Sequence, residues 1–303
     1  MPRLPFASWL PFPIPGSGGH ADGWLGPPIP LGRRVVVPGR GTMFVREVAG
    51  PPGAPTIVLL HGWMASGGLN WFRTFESLGR EFHVLAPDLR GHARGLRARG
   101  FRLEDCADDV AELCRVLGAG PVLVAGYSMG GPVAQLLWRR HPDLVAGLVL
   151  CATSDSFAFG PTESRAVQHV LGALSAGARV AETALEIPSG ALRAVIRPRR
   201  PEGFVQWATA ELTRHSVHML AAAARSVAMY RADEWMSGVD VPTAVVVTTR
   251  DRSVPPAVQM RMAESIRHST VHLVDGGHAT CARERFVEPL LEACSTVASR
   301  APV

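Results

Sequence analysis

The stretch VLVAGYSMGGPVAQLL, residues 122 to 137, sets a serine between glycines where an apolar run gives way to a helical pattern. Val122 to Ala125 are wholly apolar, as a strand buried on both faces requires, and the residues after Ser128 carry apolar side chains at helical spacing. A chain that turns this quickly from strand to helix forces Ser128 into a sparsely populated backbone conformation and crowds its neighbours. Gly126 and Gly130, two positions to either side, relieve the crowding. The bend lifts the serine hydroxyl above the carboxyl edge of a sheet. It also aims the Met129 N–H, at the helix amino terminus, toward the point where a developing oxyanion would sit. The G-x-S-x-G spacing is weak by itself, since a serine turn can contain it by chance. Its placement between strand and helix is what points to a nucleophile.

A serine hydroxyl needs a base to take its proton and a carboxylate to orient that base. Of the 11 histidines, His278 stands in a glycine-rich turn, DGGH, just past the last apolar strand pattern. Asp251, in TTRDRSVP (residues 248 to 255), follows another strand and is the carboxylate candidate; Asp155 is an alternative. Asp275, three residues before His278, suits a turn-capping role better. A second oxyanion donor is expected from LLHGWM (residues 59 to 64), where the Trp63 N–H follows a strand end. Met64, Phe157 and Tyr230 are candidates to line a substrate pocket, against the alternative of core packing. His61 is expected to organise the oxyanion loop rather than to act as a base. His215 and His218, three apart on a helix face, lack a third metal ligand nearby, so no metal site is expected.

Outward from this stretch, strands and helices alternate. RRVVVP (33 to 38) and TMFVREV (42 to 48) read as an opening antiparallel pair. TIVLLHG, FHVLAPD, VAGLVLCA, TAVVVTT and TVHLVDGGH read as further strands. A helix is expected over residues 69 to 80, with Leu69, Phe72, Phe75 and Leu78 on one face, and another over 107 to 117. Such alternation predicts an α/β fold, a mostly parallel sheet with helices on both faces. The rhythm stops over residues 154 to 236, where helical stretches broken by Gly160, Pro188, Pro198 and Pro201 read as an inserted helical cap. The core is expected over 31 to 153 and 237 to 303. Residues 1 to 30 read as a Pro/Gly-rich extension, too proline-rich for a signal-peptide helix, whose aromatic residues could pack onto the outside of the main domain or touch a membrane surface or partner.

At 303 residues, with 47% hydrophobic and 19% charged residues, the chain has the balance of a soluble globular protein with a sizeable core. The net charge of +5 invites anionic partners. The arginines are scattered, however, and no recognition module accompanies them, so no nucleic-acid partner is expected. The 5 cysteines form no metal-ligand spacing and suit a reducing, cytoplasmic setting. No apolar run is long enough to span a bilayer.

HGW, APDLRGHARG, GYSMGG, TTRDRSVP and DGGH occur in the order and spacing of the α/β-hydrolase superfamily, which the chain resembles over about residues 33 to 300. The resemblance implies Ser128 as nucleophile, Asp251 and His278 as acid and base, and the Trp63 and Met129 amides as oxyanion hole. It further implies no cofactor and an ester, lactone or other small acyl substrate. Related epoxide hydrolases and haloalkane dehalogenases use an aspartate nucleophile, so serine argues against both. Cofactor-free haloperoxidases, which are perhydrolases, and C–C bond hydrolases share the triad and remain alternatives. A non-catalytic receptor on the same fold is a third. Oligomeric state is not readable.

Overall fold

The computed structural model describes residues 27, 29–157 and 203–301. The expectations for the amino-terminal extension up to residue 26, and for residues 158–202 of the inserted segment, lie outside the described residues.

Eight strands form one sheet among the described residues: β1 (Gly32–Val37), β2 (Gly41–Val48), β3 (Thr56–Leu60), β4 (His83–Pro87), β5 (Val122–Tyr127), β6 (Val145–Cys151), β7 (Thr243–Thr248) and β8 (Thr270–Val274). Their spatial order is β1-β2-β4-β3-β5-β6-β7-β8. The two pairings made by β2 are antiparallel and all the others parallel. From β3 the chain moves outward to β4, then returns to place β5 on the other side of β3. The carboxyl ends of β3 and β5 therefore flank a topological switch point, where the connecting loops diverge and leave a crevice.

The central strands are buried on both faces because alternate residues feed two separate cores. Val58, Leu60, Val122 and Val124 join one, with Val110 and Leu113 of α3 (Leu103–Val116) and Val133 and Leu137 of α4 (Gly130–Arg140). Ile57, Leu59, Leu123, Ala125 and Tyr127 join the other, with Leu290 and Val297 from α8 (Val287–Ala298). This is the period of two that continuous apolar runs conceal.

The single helix expected over residues 69 to 80 is two short ones, α1 (Gly67–Trp71) and α2 (Phe75–Gly79). The break has a local cause. Both the N–H and the hydroxyl of Thr74 donate to the Trp71 carbonyl at 2.9 Å, closing a turn that interrupts the helical ladder. Leu69, Phe72, Phe75 and Leu78 are buried all the same. Between β6 and β7 lie α5 (Phe204–Leu212) and α6 (Val217–Ala228), while α7 (Pro256–Ser265) follows β7. Met219 and Ala223 of α6 belong to the same core as α3.

Candidate active site

Ser128 follows β5 directly and has φ 51°, the left-handed region that a non-glycine residue rarely occupies. The surroundings hold it there. Its N–H donates to Cys151 O at 2.9 Å, and its carbonyl accepts from Gly131 N at 2.9 Å and Thr153 Oγ1 at 2.8 Å. The glycines are sterically required: a Cβ at Gly126 would meet the Gly130 carbonyl, one at Gly130 the Leu60 carbonyl, and one at Gly131 the Thr153 side chain. The start of α4 thus lies directly against the ends of β3 and β5, with Met129 buried at its cap.

His278 Nε2 stands 2.9 Å from Ser128 Oγ, and His278 Nδ1 stands 2.7 Å from Asp251 Oδ2. The histidine comes from the turn after β8 and the aspartate from the turn after β7, so three strand ends converge on one hydrogen-bonded chain. Asp251 is fully enclosed by donors. Oδ2 also accepts from Thr248 Oγ1 at 2.9 Å, and Oδ1 accepts from the N–H groups of Ser253 at 2.8 Å and Val254 at 3.0 Å. Burial alone would raise its pKa. The hydrogen bond and charge of His278, with the Val254 and Thr248 donors, outweigh burial and hold the carboxyl below its ordinary value. The group is therefore an anion facing an imidazole N–H.

Across the crevice, the loop after β3 lies close to the serine. A Cβ built on Gly62 would be 3.4 Å from Ser128 Cβ. The Gly62 N–H is held by Asn70 Oδ1 at 3.0 Å. Trp63 is partly exposed, its indole N–H donating to Leu220 O at 2.9 Å, and Met64 adopts φ 59°. His61 is wholly buried: its Nδ1 bonds the Gly62 carbonyl at 2.8 Å, which puts the proton there, and its Nε2 accepts from Leu89 N at 2.9 Å. Burial pushes its pKa down to about 3, so it is a neutral brace between two loops. In the second loop Asp88 accepts from Gly67 N at 2.8 Å and Arg94 N at 3.1 Å, and Arg90 grips Asp109 with two bonds of 2.8 Å.

Other sequence candidates have different surroundings. Tyr230 is buried in the core, with its hydroxyl donating to Gln135 Oε1 at 2.9 Å, and Phe157 packs against the same core from its edge. Asp155 accepts from Ser154 Oγ, and Asp275 pairs with Arg250 at 2.7 Å beside the His278 turn. His215 Nδ1 accepts from Ala93 N at 3.0 Å, and His218 Nδ1 bonds Ser216 Oγ at 2.8 Å. No three metal-ligating side chains converge among the described residues. A cavity of about 390 Å³ opens beside Arg34, Thr42, Arg94 and Arg214, a set containing none of the serine's partners.

Sequence reasoning missed two contributors. Tyr127, next to Ser128, donates its hydroxyl to the His278 carbonyl at 2.7 Å, and Thr248 supports Asp251. Both lie inside the stretches GYSMGG and TTRDRSVP, whose spacing points to Ser128 and Asp251 and says nothing of what their neighbours touch. Only the position of Tyr127 beside the serine, on a strand face that turns toward the last loop, could have signalled it.

A serine on a strained strand-to-helix turn at the switch point of a mostly parallel sheet defines a fold class of hydrolases. The model of the alpha/beta hydrolase fold family matches residues 55–283, and the chain belongs to that family. It is 41% identical over 103 residues to a pimeloyl-[acyl-carrier protein] methyl ester esterase of Chromobacterium violaceum, covering 34% of this chain and 39% of that protein. It is 39% identical over 101 residues to lipase LipV of Mycobacterium tuberculosis, covering 33% of this chain and 38% of the other. These matches span about two fifths of the relatives' own length. Among solved structures, a thermophilic esterase from Thermogutta terrifontis superimposes with a TM-score of 0.68 at 25% identity, over 88% of this chain and 99% of that one.

Proposed function

We propose that the chain is a serine hydrolase acting on a small to medium ester, lactone or related acyl compound. The reading rests on one observation, the unbroken hydrogen-bonded chain from Ser128 through His278 to Asp251. His278 Nε2 accepts the Ser128 proton as Oγ attacks the carbonyl carbon. The anionic tetrahedral intermediate is held by the Met129 and Trp63 N–H groups, each worth on the order of 3 kcal/mol at the transition state. His278 then passes the proton to the departing alcohol, leaving an acyl group on Ser128. Water, deprotonated by His278, attacks that ester; the acid departs and Oγ recovers its proton. Asp251 stays ionised throughout and balances the imidazolium.

The relatives named as esterases and a lipase support the ester class; the pimeloyl ester esterase and LipV align over about two fifths of their length, the Thermogutta esterase over 99% of its chain. We assign the helices between β6 and β7 to a cap over the site and give Met64 and Phe157 the role of lining it. Tyr230, engaged with Gln135, keeps a packing role. All 5 cysteines are free and buried, which suits a cytoplasmic setting, and no helix among the described residues is long and apolar enough to cross a membrane.

The test is a panel of p-nitrophenyl esters and lactones of graded acyl length, run beside Ser128→Ala, with a fluorophosphonate probe read by mass spectrometry. Ester turnover lost in the variant, with the adduct on Ser128, is the expected result. Absence of both turnover and adduct in the parent would favour a non-catalytic receptor.

A further inference from the structure

Glu211 is a carboxylate on α5 with 1% of its surface exposed, and it belongs to no motif. A buried anion needs strong partners. Arg94 supplies two bonds, at 2.6 and 2.9 Å, Ser66 Oγ donates a third at 2.7 Å, and Arg214 stands 3.5 Å away. Burial would raise the Glu211 pKa, but the bonds and charge of Arg94, with Ser66 and the charge of Arg46, lower it overall.

Ser66 lies on the loop that starts at Gly62 and ends in α1, and its Oγ also accepts from Leu69 N at 3.0 Å, capping that helix. The next residue, Gly67, donates its N–H to Asp88 Oδ1, and Asp88 Oδ2 receives the N–H of Arg94. Ser66, Glu211, Arg94, Asp88 and Gly67 therefore close a ring of polar contacts at the far end of the loop. Its near end is tied by the Trp63 indole to Leu220 of α6. Between these anchors Met64 has φ 59°, a conformation costing about 1 kcal/mol or more that persists only where the surroundings impose it. Both anchors come from the helices between β6 and β7, and the loop they fix lies against Ser128.

We infer that Glu211 is a positioning residue for the oxyanion loop: by gripping Ser66 and Arg94 it fixes Gly62 to Gly67 so that the Trp63 N–H addresses the oxyanion. The inference rests on the serine-hydrolase reading. A contact this specific ties turnover to the seating of α5, since a loop displaced by about 1 Å can cost on the order of 100-fold in rate.

The experiment uses the full chain with Glu211→Ala, Ser66→Ala and the double variant, each checked for its fold by circular dichroism and thermal melting. Glu211→Ala and Ser66→Ala are expected to lower kcat about 10- to 100-fold with KM within about threefold. The double variant should be no slower than Glu211→Ala. Affinity for an aryl trifluoromethyl ketone, whose adduct places an oxyanion in the same spot, should fall with kcat/KM. If Glu211→Ala does not fold, Ser66→Ala carries the comparison. Folded variants that keep kcat within threefold, or lose ester turnover without losing ketone affinity, overturn the role of Glu211 while the serine-hydrolase reading stands. A parent that neither turns over esters nor takes a fluorophosphonate on Ser128 removes both.

Discussion

The Nε2 atom of His278 lies 2.9 Å from Ser128 Oγ, although 150 residues separate the two along the chain. The sheet creates this proximity, since β5 and β8 end at the same edge. If the serine is the nucleophile, Ser128→Ala lowers ester kcat by at least about 10⁴-fold and leaves the melting profile cooperative. Ser128→Gly is equally inactive but melts no lower than the parent. Relief of a φ of 51° returns about 1–3 kcal/mol, against about 0.4–1 kcal/mol of added unfolded-chain entropy. A glycine variant that melts well below the parent would show that the turn is unstrained.

Tyr127 holds the histidine from behind through the 2.7 Å bond to the His278 carbonyl, its ring packed at 5.5 Å from Phe286 and 6.1 Å from Trp71. Tyr127→Phe keeps the ring and deletes the bond. It is expected to cost about 1 kcal/mol of stability in urea titration. It should also slow kcat by roughly 3- to 10-fold, because the imidazole samples poorer alignments. Unchanged kcat would mean that the turn places His278 unaided.

The contrast between Ser128 and Tyr127 marks what was readable beforehand. Glycine spacing around a serine carries a steric requirement that is written locally, and apolar runs announce strands, so the sheet and the residues at its strand ends could be anticipated. Contacts such as Tyr127 with His278, or Glu211 with Ser66, depend on where distant segments cross, and no local pattern encodes that. The interrupted helix at Thr74 failed for another reason. Its apolar face was correctly periodic, but a side-chain hydroxyl competing for a carbonyl leaves no mark on that period. For Tyr230 the sequence leaves pocket lining and core packing both open, because only spatial information separates them; its hydroxyl donates to Gln135.

Three imidazoles, His61, His92 and His215, lie in a row of tilted and edge-on contacts with ring centroids 5.4 and 5.5 Å apart, and burial pushes each down from 6.5 to about 3. Unfolded histidine binds a proton below about pH 6.5 while these folded ones do not. Their stabilising contribution is therefore complete above that pH and is lost as pH falls toward 3. Each adds about 1.4 kcal/mol per pH unit to the slope. Urea unfolding followed from pH 7 to 5 should show stability falling with acid. His92→Phe, which removes a buried Nε2 with no hydrogen-bond partner among the described residues, should flatten the slope by about that amount. Identical slopes for parent and variant would mean that His92 protonates freely in the folded chain.

Asp251→Asn gives the sharpest test of the proton path, because the surroundings dictate how an amide would sit. At the Oδ1 position two backbone N–H groups, from Ser253 and Val254, demand an acceptor, so the amide oxygen stays there and the NH₂ takes the Oδ2 position. That NH₂ then donates toward His278 Nδ1, 2.7 Å away in the parent, and the imidazole must move its proton to Nε2. A protonated Nε2 facing Ser128 Oγ can donate but cannot accept. The expected outcome is a loss of about 10⁴-fold in kcat with the fold retained, as for loss of the orienting acid in other triads. Nitrogen chemical shifts of the His278 ring should report the exchanged tautomer. Activity within tenfold of the parent, or a ring still protonated on Nδ1, would show that a different acid orients this histidine.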